Sequence, residues 1–92
     1  MIGDYLHEFV VVAQRQNMAQ AALDLGLSTS SLARHMSALE SELRAHLLER
    51  TATGIRLTDD GRYALSVAAR ITELGDGLER SFKEGADGGG QR

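Results

Sequence analysis

The sequence predicts a mainly α-helical domain in which three short helices and a β-hairpin precede one long helix. Apolar residues recur at helical spacing through most of the 92-residue chain, and this periodicity is the primary sequence sign of amphipathic helices. Proline and cysteine are absent and aromatic residues make up 4% of the chain, so a disulfide framework and a thiolate metal site are excluded. A chain of this length forms one small domain with a limited core, and association with a second copy is one common remedy.

Two helices are predicted before Gly26. In the first, at about residues 4–16, apolar side chains recur at i, i+3, i+4 and i+7, and they are Leu6, Phe9, Val10 and Ala13. Asp4 is placed to be the N-cap of this helix. The second helix is capped by Asn17 and stops at Gly26, a residue type that favours a left-handed helix end. Its inward positions are Ala21, Ala22 and Leu25.

A third helix follows a turn of three residues, Gly26-Leu27-Ser28, and Ser28 is its predicted N-cap. Its apolar positions, spaced 4, 3 and 4 residues apart, are Leu32, Met36, Leu39 and Leu43. Two helices joined by so short a turn form a helix-turn-helix. When the apolar stripe is buried, the outer face of the third helix carries Thr29, Ser30, Ser31, Arg34, His35 and Ala38. Hydroxyl groups at a helix N-terminus followed by an arginine are suited to a nucleic-acid groove.

A β-hairpin is predicted within residues 47–58. Its arms are residues 47–49 and 55–57, and residues 50–54 form its tip, with Gly54 supplying backbone freedom. A hairpin that follows a helix-turn-helix is a wing. The sequence therefore predicts a winged helix-turn-helix.

The last helix is predicted at about residues 59–83, with Thr58 as its cap and two aspartates in its first turn. Its apolar positions are spaced 3, 4, 3 and 4 residues apart and are Ala64, Val67, Ile71, Leu74 and Leu78. This is the narrow seam of a coiled coil, and one long helix cannot cover its own seam. We therefore expect a homodimer interface made by Val67, Ile71, Leu74 and Leu78. Residues 84–92 have the composition of a flexible hinge or tail.

The charge balance limits the classes of function. The net charge is −3, and residues 1–62 alone hold six arginines and eight acidic residues. An acidic balance argues against broad nonspecific affinity for DNA, although local patches matter more than the total. The three histidines lack metal-ligand spacing, and no catalytic triad or carboxylate pair is recognisable, so we expect no metal, no cofactor and no enzyme activity. No apolar run is long enough to span a membrane, and no signal peptide is recognisable, which predicts a cytoplasmic protein.

The chain resembles the N-terminal DNA-binding domain of the LysR-type transcriptional regulators. The resemblance runs from about Tyr5 to Phe82, and its most specific stretches are FVVVAQRQNMAQAA, LSTSSLARHMSALESEL and LLERTATGIRLTDDG. It implies a third helix in the major groove, a wing on the DNA backbone and antiparallel pairing of the last helices. It also implies interrupted inverted-repeat operators upstream of the regulated genes in bacteria.

This resemblance divides the chain into a winged helix-turn-helix at 1–58, a linker and dimerisation helix at 59–83 and a hinge or tail at 84–92. Family members continue through such a hinge into an effector domain, so we expect an excised DNA-binding domain, rather than a naturally truncated member, without a small-molecule effector site of its own. The residues that we assign to DNA contact are Asn17, Gln20, Ser28, Thr29, Ser30, Ser31, Arg34, His35, Arg50, Thr53 and Arg56.

Alternatives stay open for several of these side chains. Arg34 is assigned to a base edge, because arginine to guanine is the commonest specific contact, but it can instead pair with Glu40 or another nearby acid. His35 is as compatible with a solvated surface as with a phosphate. The hydroxyl side chains of residues 28–31 serve as helix caps or as DNA contacts. Of Arg50 and Arg56, one is expected to pair with an acid and at least one to contact phosphate.

The chain also departs from the family pattern. Members usually carry glutamine at the position of Thr29, a basic residue at Thr53 in the wing tip and glycine at Arg44 after the third helix. With that glycine replaced, the third helix is expected to extend or to turn differently. Each change removes a contact or a charge. A second hypothesis is therefore a protein-interaction module that dimerises with a full-length regulator and has weak or no DNA binding.

Overall fold

The computed structural model describes residues 2–88, with side chains described for residues 5–84. Its elements follow the predicted order: α1 (Ile2–Arg15), α2 (Met18–Leu25), α3 (Thr29–Leu43), β1 (Leu48–Thr51), β2 (Gly54–Leu57) and α4 (Asp59–Gly88). The first three helices pack against one another, and α1 also packs against β2 and α4. The predicted winged helix-turn-helix with a long last helix is confirmed.

The core lies between α1, α2, α3 and the hairpin. Its fully buried side chains are Phe9, Val12, Leu32, Leu39 and Leu47. The inward face of α1 is rotated slightly from its predicted position, because Val12 is buried while Leu6 and Val10 are only half-buried. Leu43 was expected in the core but lies at its edge, with 38% of its surface exposed.

Side-chain oxygens cap the N-termini of three of the helices, as the residue types predict. The Asn17 Oδ1 atom accepts the backbone N–H of Gln20 at 2.9 Å, and the Ser28 Oγ atom accepts that of Ser31 at 3.1 Å. The hydroxyl of Thr58 accepts the N–H of Gly61 at 2.9 Å. The assignment of Asp4 as the N-cap of α1 is wrong, because α1 begins at Ile2 and Asp4 lies inside it.

Helices α2 and α3 each end at a residue whose backbone adopts the left-handed conformation. Gly26 closes α2 at φ 69° and ψ 31°. Arg44 closes α3 at φ 53° and ψ 45°, and its N–H bonds back to the carbonyls of Glu40 and Ser41. Helix α3 therefore does not extend past Leu43, and it makes its left-handed turn with a residue that carries a Cβ atom.

Replacing Arg44 by glycine is expected to raise the free energy of unfolding by about 0.5–1 kcal/mol. The left-handed conformation costs a non-glycine residue about 1–2 kcal/mol, and the larger entropy of glycine in the unfolded chain offsets part of that gain. Urea unfolding at one fixed chain concentration measures the change. Arg44→Ala is the control, since it removes the charge but keeps the strained backbone, and equal stability of the two variants would contradict the prediction.

The wing is a two-stranded antiparallel ladder with a tighter tip than predicted. Leu48 pairs with Leu57, Glu49 with Arg56, Arg50 with Ile55 and Thr51 with Gly54. Arg50, Thr51 and Gly54 therefore lie in the strands, and only residues 52 and 53 form the turn. The ladder is longer than expected at its tip end because Gly54 adopts a φ of 146°, which is open to glycine.

Helix α4 runs to Gly88, five residues beyond its predicted end. Residues 84–88, assigned to a flexible tail, are helical, and residues 89–92 lie outside the described part of the chain. The predicted seam is exposed along most of its length, as are two aromatic side chains, and these apolar residues are Tyr63, Val67, Ile71, Leu74, Leu78 and Phe82. The structure extends 56 Å along its longest axis and 25 Å or less across it. No helix among the described residues is long and apolar enough to cross a membrane.

Candidate nucleic-acid interface

The outer face of α3 carries its polar side chains as the sequence predicts. Thr29, Ser30 and Arg34 are exposed, whereas Ser31 is half-buried. The hydroxyl of Ser28 is engaged as the cap and lies 3.3 Å from the hydroxyl of Ser30. Buried Leu32 and Met36 on the opposite side of the helix fix this face toward solvent. The hydroxyl groups of Thr29 and Ser30 are accordingly open to a ligand at the first turn of a helix.

Arg34 contacts the hydroxyl group of Ser31 and has no carboxylate partner among the described side chains. Its Nη2 atom donates to the Ser31 hydroxyl at 3.3 Å, a contact that orients the side chain toward the N-terminus of α3. The alternative pairing with Glu40 does not occur. Among the side chains of residues 5–84, Arg34 is in no ion pair. Its charge and the remaining donors of its guanidinium are therefore available.

His35 is turned away from this set and toward α1. Its Nδ1 atom lies 2.8 Å from the Glu8 Oε1 atom, and its ring stacks on Tyr5 with 4.6 Å between the ring centroids. The imidazole is three-quarters buried. The structure therefore uses His35 to join α3 to α1 and does not bring it together with Arg34 for DNA contact.

The N-terminus of α2 meets the wing in a shallow depression of about 200 Å³. Asn17 and Arg50 both line it, together with Gly54. Gln20, one turn into α2, accepts a hydrogen bond from the Arg15 Nη2 atom at 2.7 Å through its amide oxygen, which leaves its amide nitrogen as a donor. The structure thus brings together three of the residues that the sequence assigned to DNA contact, which are Asn17, Gln20 and Arg50.

The two wing arginines have different surroundings. Arg56 lies directly opposite Glu49 in the ladder, and its Nη2 atom is 2.9 Å from the Glu49 Oε1 atom, so the expected pairing of one wing arginine with an acid is confirmed. Arg50 is exposed and is in no ion pair among the side chains of residues 5–84. Thr53 stands in the turn, where its N–H donates to the Thr51 hydroxyl at 3.3 Å.

A cleft of about 590 Å³ separates α3 from the wing, and Arg50 and Arg56 both line it. Its floor includes Glu40, a residue that the sequence analysis considered only as a partner for Arg34. One carboxylate oxygen of Glu40 accepts the backbone N–H groups of Leu47 at 2.7 Å and Leu48 at 3.1 Å. Glu40 therefore fixes the start of the wing relative to α3. No local sequence pattern signals this contact, because the partners are seven and eight residues apart and outside the helix.

Internal contacts occupy most of the acidic groups near this surface. Asp24 pairs with Arg15 at 2.9 Å, Glu49 pairs with Arg56 and Glu40 accepts backbone donors. A surface with free arginines and engaged carboxylates attracts phosphate even when the whole chain is acidic. No cluster of three or more potential metal ligands occurs among the described residues.

Residues 4–62 match the family described as bacterial regulatory helix-turn-helix protein, lysR family. The chain belongs to the LysR family. This match covers the winged helix-turn-helix and the first residues of α4, so the chain is the DNA-binding domain of a LysR-type transcription regulator. The family consists of transcription regulators and not of enzymes. Membership favours the DNA-binding hypothesis over an interaction module without DNA binding.

Curated relatives of the chain are longer transcription regulators. It is 46% identical over 69 residues to the HTH-type transcriptional regulator TcbR of Pseudomonas sp. (strain P51), a match that covers 75% of this chain and 24% of TcbR. It is 39% identical over 72 residues to BudR of Raoultella terrigena, which covers 78% of this chain and 25% of BudR. The chain thus spans about a quarter of the length of these relatives.

Solved structures of LysR DNA-binding domains on DNA share the fold. The CbnR DNA-binding domain in its DNA complex is 40% identical and superposes with a TM-score of 0.83, covering 94% of this chain and 99% of that one. The BenM DNA-binding domain bound to catB site 1 DNA is 30% identical with a TM-score of 0.88, covering 96% of this chain and 98% of that one. The similarity therefore includes α4 as well as the winged domain.

Proposed function

We propose that this LysR domain binds operator DNA sequence-specifically as a homodimer, with α3 in the major groove. Arg34 contacts a guanine edge, and Thr29 and Ser30 contact bases or phosphates beside it. Asn17, Gln20 and Arg50 contact the DNA backbone, with Arg56 at the edge of the same surface. The operator is an interrupted inverted repeat, because a two-fold symmetric protein matches half-sites about one helical turn apart or a multiple of it. Such a role places the domain in the cytoplasm.

The observation that carries this proposal is the pair of free arginines, one on the outer face of α3 and one in the wing. Arg34 and Arg50 come from separate elements, are exposed, and form no ion pair among the described side chains. The exposed hydroxyl groups of the first turn of α3 accompany them. Solved complexes of similar domains with DNA support a DNA-binding role for this domain.

The exposed stripe of α4 supports dimerisation. Ile71, Leu74 and Leu78 expose 52%, 72% and 62% of their surfaces in the single chain. A contiguous row of large apolar side chains on a soluble domain marks an interaction surface, and its spacing is that of a helix-pairing seam. Pairing of α4 with α4 of a second copy covers the row and presents two α3 helices to one DNA duplex.

Arg34→Ala is expected to weaken operator binding by roughly 10- to 100-fold and to remove one base preference. Loss of a bidentate arginine–guanine contact costs about 1–3 kcal/mol and relaxes specificity at that position. Selection of bound duplexes from a random DNA pool at low salt, with wild type and variant in parallel, measures both effects. Arg80→Ala on α4 is the matched control, because it removes the same charge outside the proposed interface and should select the wild-type sequence.

Two results separate the parts of this proposal. An enriched inverted repeat whose preference at one base pair vanishes only in Arg34→Ala supports specific readout by Arg34. The absence of any enriched sequence at low salt, from a sample confirmed as dimeric, contradicts sequence-specific binding by this domain.

A further inference from the structure

An apolar groove lies where α4 leaves the body of the domain. It encloses about 560 Å³, and its apolar lining is Leu6, Leu43, Ala45, Leu47, Tyr63, Ala64 and Val67. Three of these residues, Leu43, Tyr63 and Val67, are large apolar side chains left exposed in the single chain. Val67 belongs both to this groove and to the α4 seam, so the groove continues the apolar surface that we propose for dimerisation.

The seam of α4 has an internal symmetry that selects one register of antiparallel pairing. Val67 and Leu78 lie equally far from the midpoint between residues 72 and 73, and so do Ile71 and Leu74. When two such helices run antiparallel about that midpoint, Val67 faces Leu78 and Ile71 faces Leu74 in both directions. No other antiparallel offset pairs all four large seam residues with one another.

The same register brings one more side chain to the level of the groove. Residue 82 is as far from the midpoint as residue 63, so Phe82 of one subunit would lie level with Tyr63 of the other along the helix axis. Each residue of an α-helix is rotated by about 100° from the one before it. Viewed along the axis of α4, Phe82 and Ala64 therefore both lie about 60° from Val67, on the same side of it. Ala68, which is buried, lies farther round that side, so this is the flank on which α4 contacts the body. The two-fold axis of an antiparallel pair keeps that flank common to both helices.

We propose that Phe82 of each subunit fills the apolar groove of the other, between Leu43 and Ala64. The proposal rests on the dimer of the proposed function and names the register and the residue that secure it. Phe82 exposes 73% of its surface in the single chain, although a phenylalanine favours burial. The free end of each α4 is thereby attached to the winged domain of the other subunit, which fixes the spacing of the two α3 helices.

The dissociation constant of the dimer tests the role of Phe82. Phe82→Ala is expected to raise it by at least about 30-fold, because two phenylalanine side chains lose their burial in each dimer. Sedimentation equilibrium of the full chain measures it, and circular dichroism checks that the exposed substitution leaves the helix content intact. Leu23→Ala is the control, since Leu23 is equally exposed, at 73%, but lies on α2. An equal dissociation constant for Phe82→Ala and wild type would overturn the proposal.

Disulfide trapping tests the register directly, because the chain has no cysteine of its own. A mixture of Val67→Cys and Leu78→Cys chains, and a mixture of Ala64→Cys and Phe82→Cys chains, are each expected to form cross-linked heterodimers on mild oxidation. Each variant alone should remain uncross-linked. Cross-linking of each variant only with itself indicates parallel helices and refutes the register. A wild-type chain that stays monomeric instead contradicts the proposed dimer, so the two failures are distinguishable.

Discussion

Replacing Gly54 by alanine is expected to lower the free energy of unfolding by roughly 3 kcal/mol. Gly54 adopts a φ of 146°, a conformation that L-residues with a Cβ atom rarely adopt. A Cβ atom there would also overlap the carbonyl oxygen of Gln16, which is backbone and cannot rotate away. That carbonyl accepts the N–H of Ile55 at 3.0 Å. Relief of the overlap therefore breaks the hydrogen bond that fastens the wing to the α1–α2 junction.

The same substitution is expected to weaken DNA binding even in the molecules that remain folded. Gly54 pairs with Thr51, and the next pair in the ladder is Arg50 with Ile55. Movement of β2 away from Gln16 therefore moves Arg50 relative to Asn17, with which it lines one depression. Urea unfolding at fixed chain concentration measures the stability. Binding to the selected operator, at a temperature where the variant is folded, measures the affinity.

Gly26→Ala is the matched control for Gly54→Ala. Gly26 also has a positive φ, 69°, but a Cβ atom there would meet nothing within 4 Å. Its substitution should cost only the backbone term of about 1–2 kcal/mol and leave the wing in place. If both variants lose the same stability, contact with Gln16 contributes nothing and the wing is held by other contacts.

Local signals explain why so much of this fold is predictable from the sequence. Asn17, Ser28 and Thr58 are capping residue types at the starts of helices, and each satisfies a backbone donor within three residues along the chain. Gly26 ends α2 by a conformation that its lack of a Cβ atom favours. Apolar periodicity identifies α3 and α4 because each helix carries one continuous apolar stripe. The stripe of α3 is mostly buried in the core, and that of α4 is largely exposed in the single chain.

Contacts between distant segments explain what the sequence analysis missed. Ring stacking of His35 on Tyr5 joins residues thirty positions apart, and no periodicity within α3 marks one of its polar residues for burial. The sequence around Glu40 predicts an acidic residue on the surface of a helix. In the structure, Glu40 accepts hydrogen bonds from two backbone N–H groups at the start of the wing. The end of the hairpin was misplaced because the turn needs only residues 52 and 53 once Gly54 enters the ladder.

The sequence predicts which residue types are exposed at the candidate site, but it does not predict which of the arginines form ion pairs. The residue types on the outer face of α3 follow directly from the buried stripe, so Thr29, Ser30 and Arg34 were identified correctly as exposed. Which arginines carry free charge depends on the register of the wing, because Glu49 faces Arg56 and not Arg50. Only the folded arrangement therefore distinguishes Arg50 as the wing residue available to phosphate.

Replacing Gly61 by alanine is expected to destabilise the domain by roughly 2–4 kcal/mol, although alanine favours helices. Helix propensity alone predicts a gain of about 1 kcal/mol for Gly→Ala. At this position the added Cβ atom would overlap the carbonyl oxygen of Leu47 and lie 3.2 Å from the Cδ2 atom of Leu57. The Leu47 carbonyl accepts the N–H of Thr58 at 3.0 Å. Overpacking against a fixed backbone and loss of that hydrogen bond outweigh the propensity gain.

Gly77→Ala on the same helix measures the effect of helix propensity without the steric overlap that is expected at Gly61. A Cβ atom there would meet only the end of the Arg80 side chain, at 3.9 Å, so this variant is expected to gain stability by about 0.5–1 kcal/mol. Thermal and urea unfolding of both variants at equal chain concentration measure the two opposite shifts. Stabilisation by Gly61→Ala would show that α4 can move away from Leu47 at little cost. In that case the wing and the first turn of α4 are not fixed to each other. Pairing of the α4 helices in a dimer would then not determine where Arg50 lies.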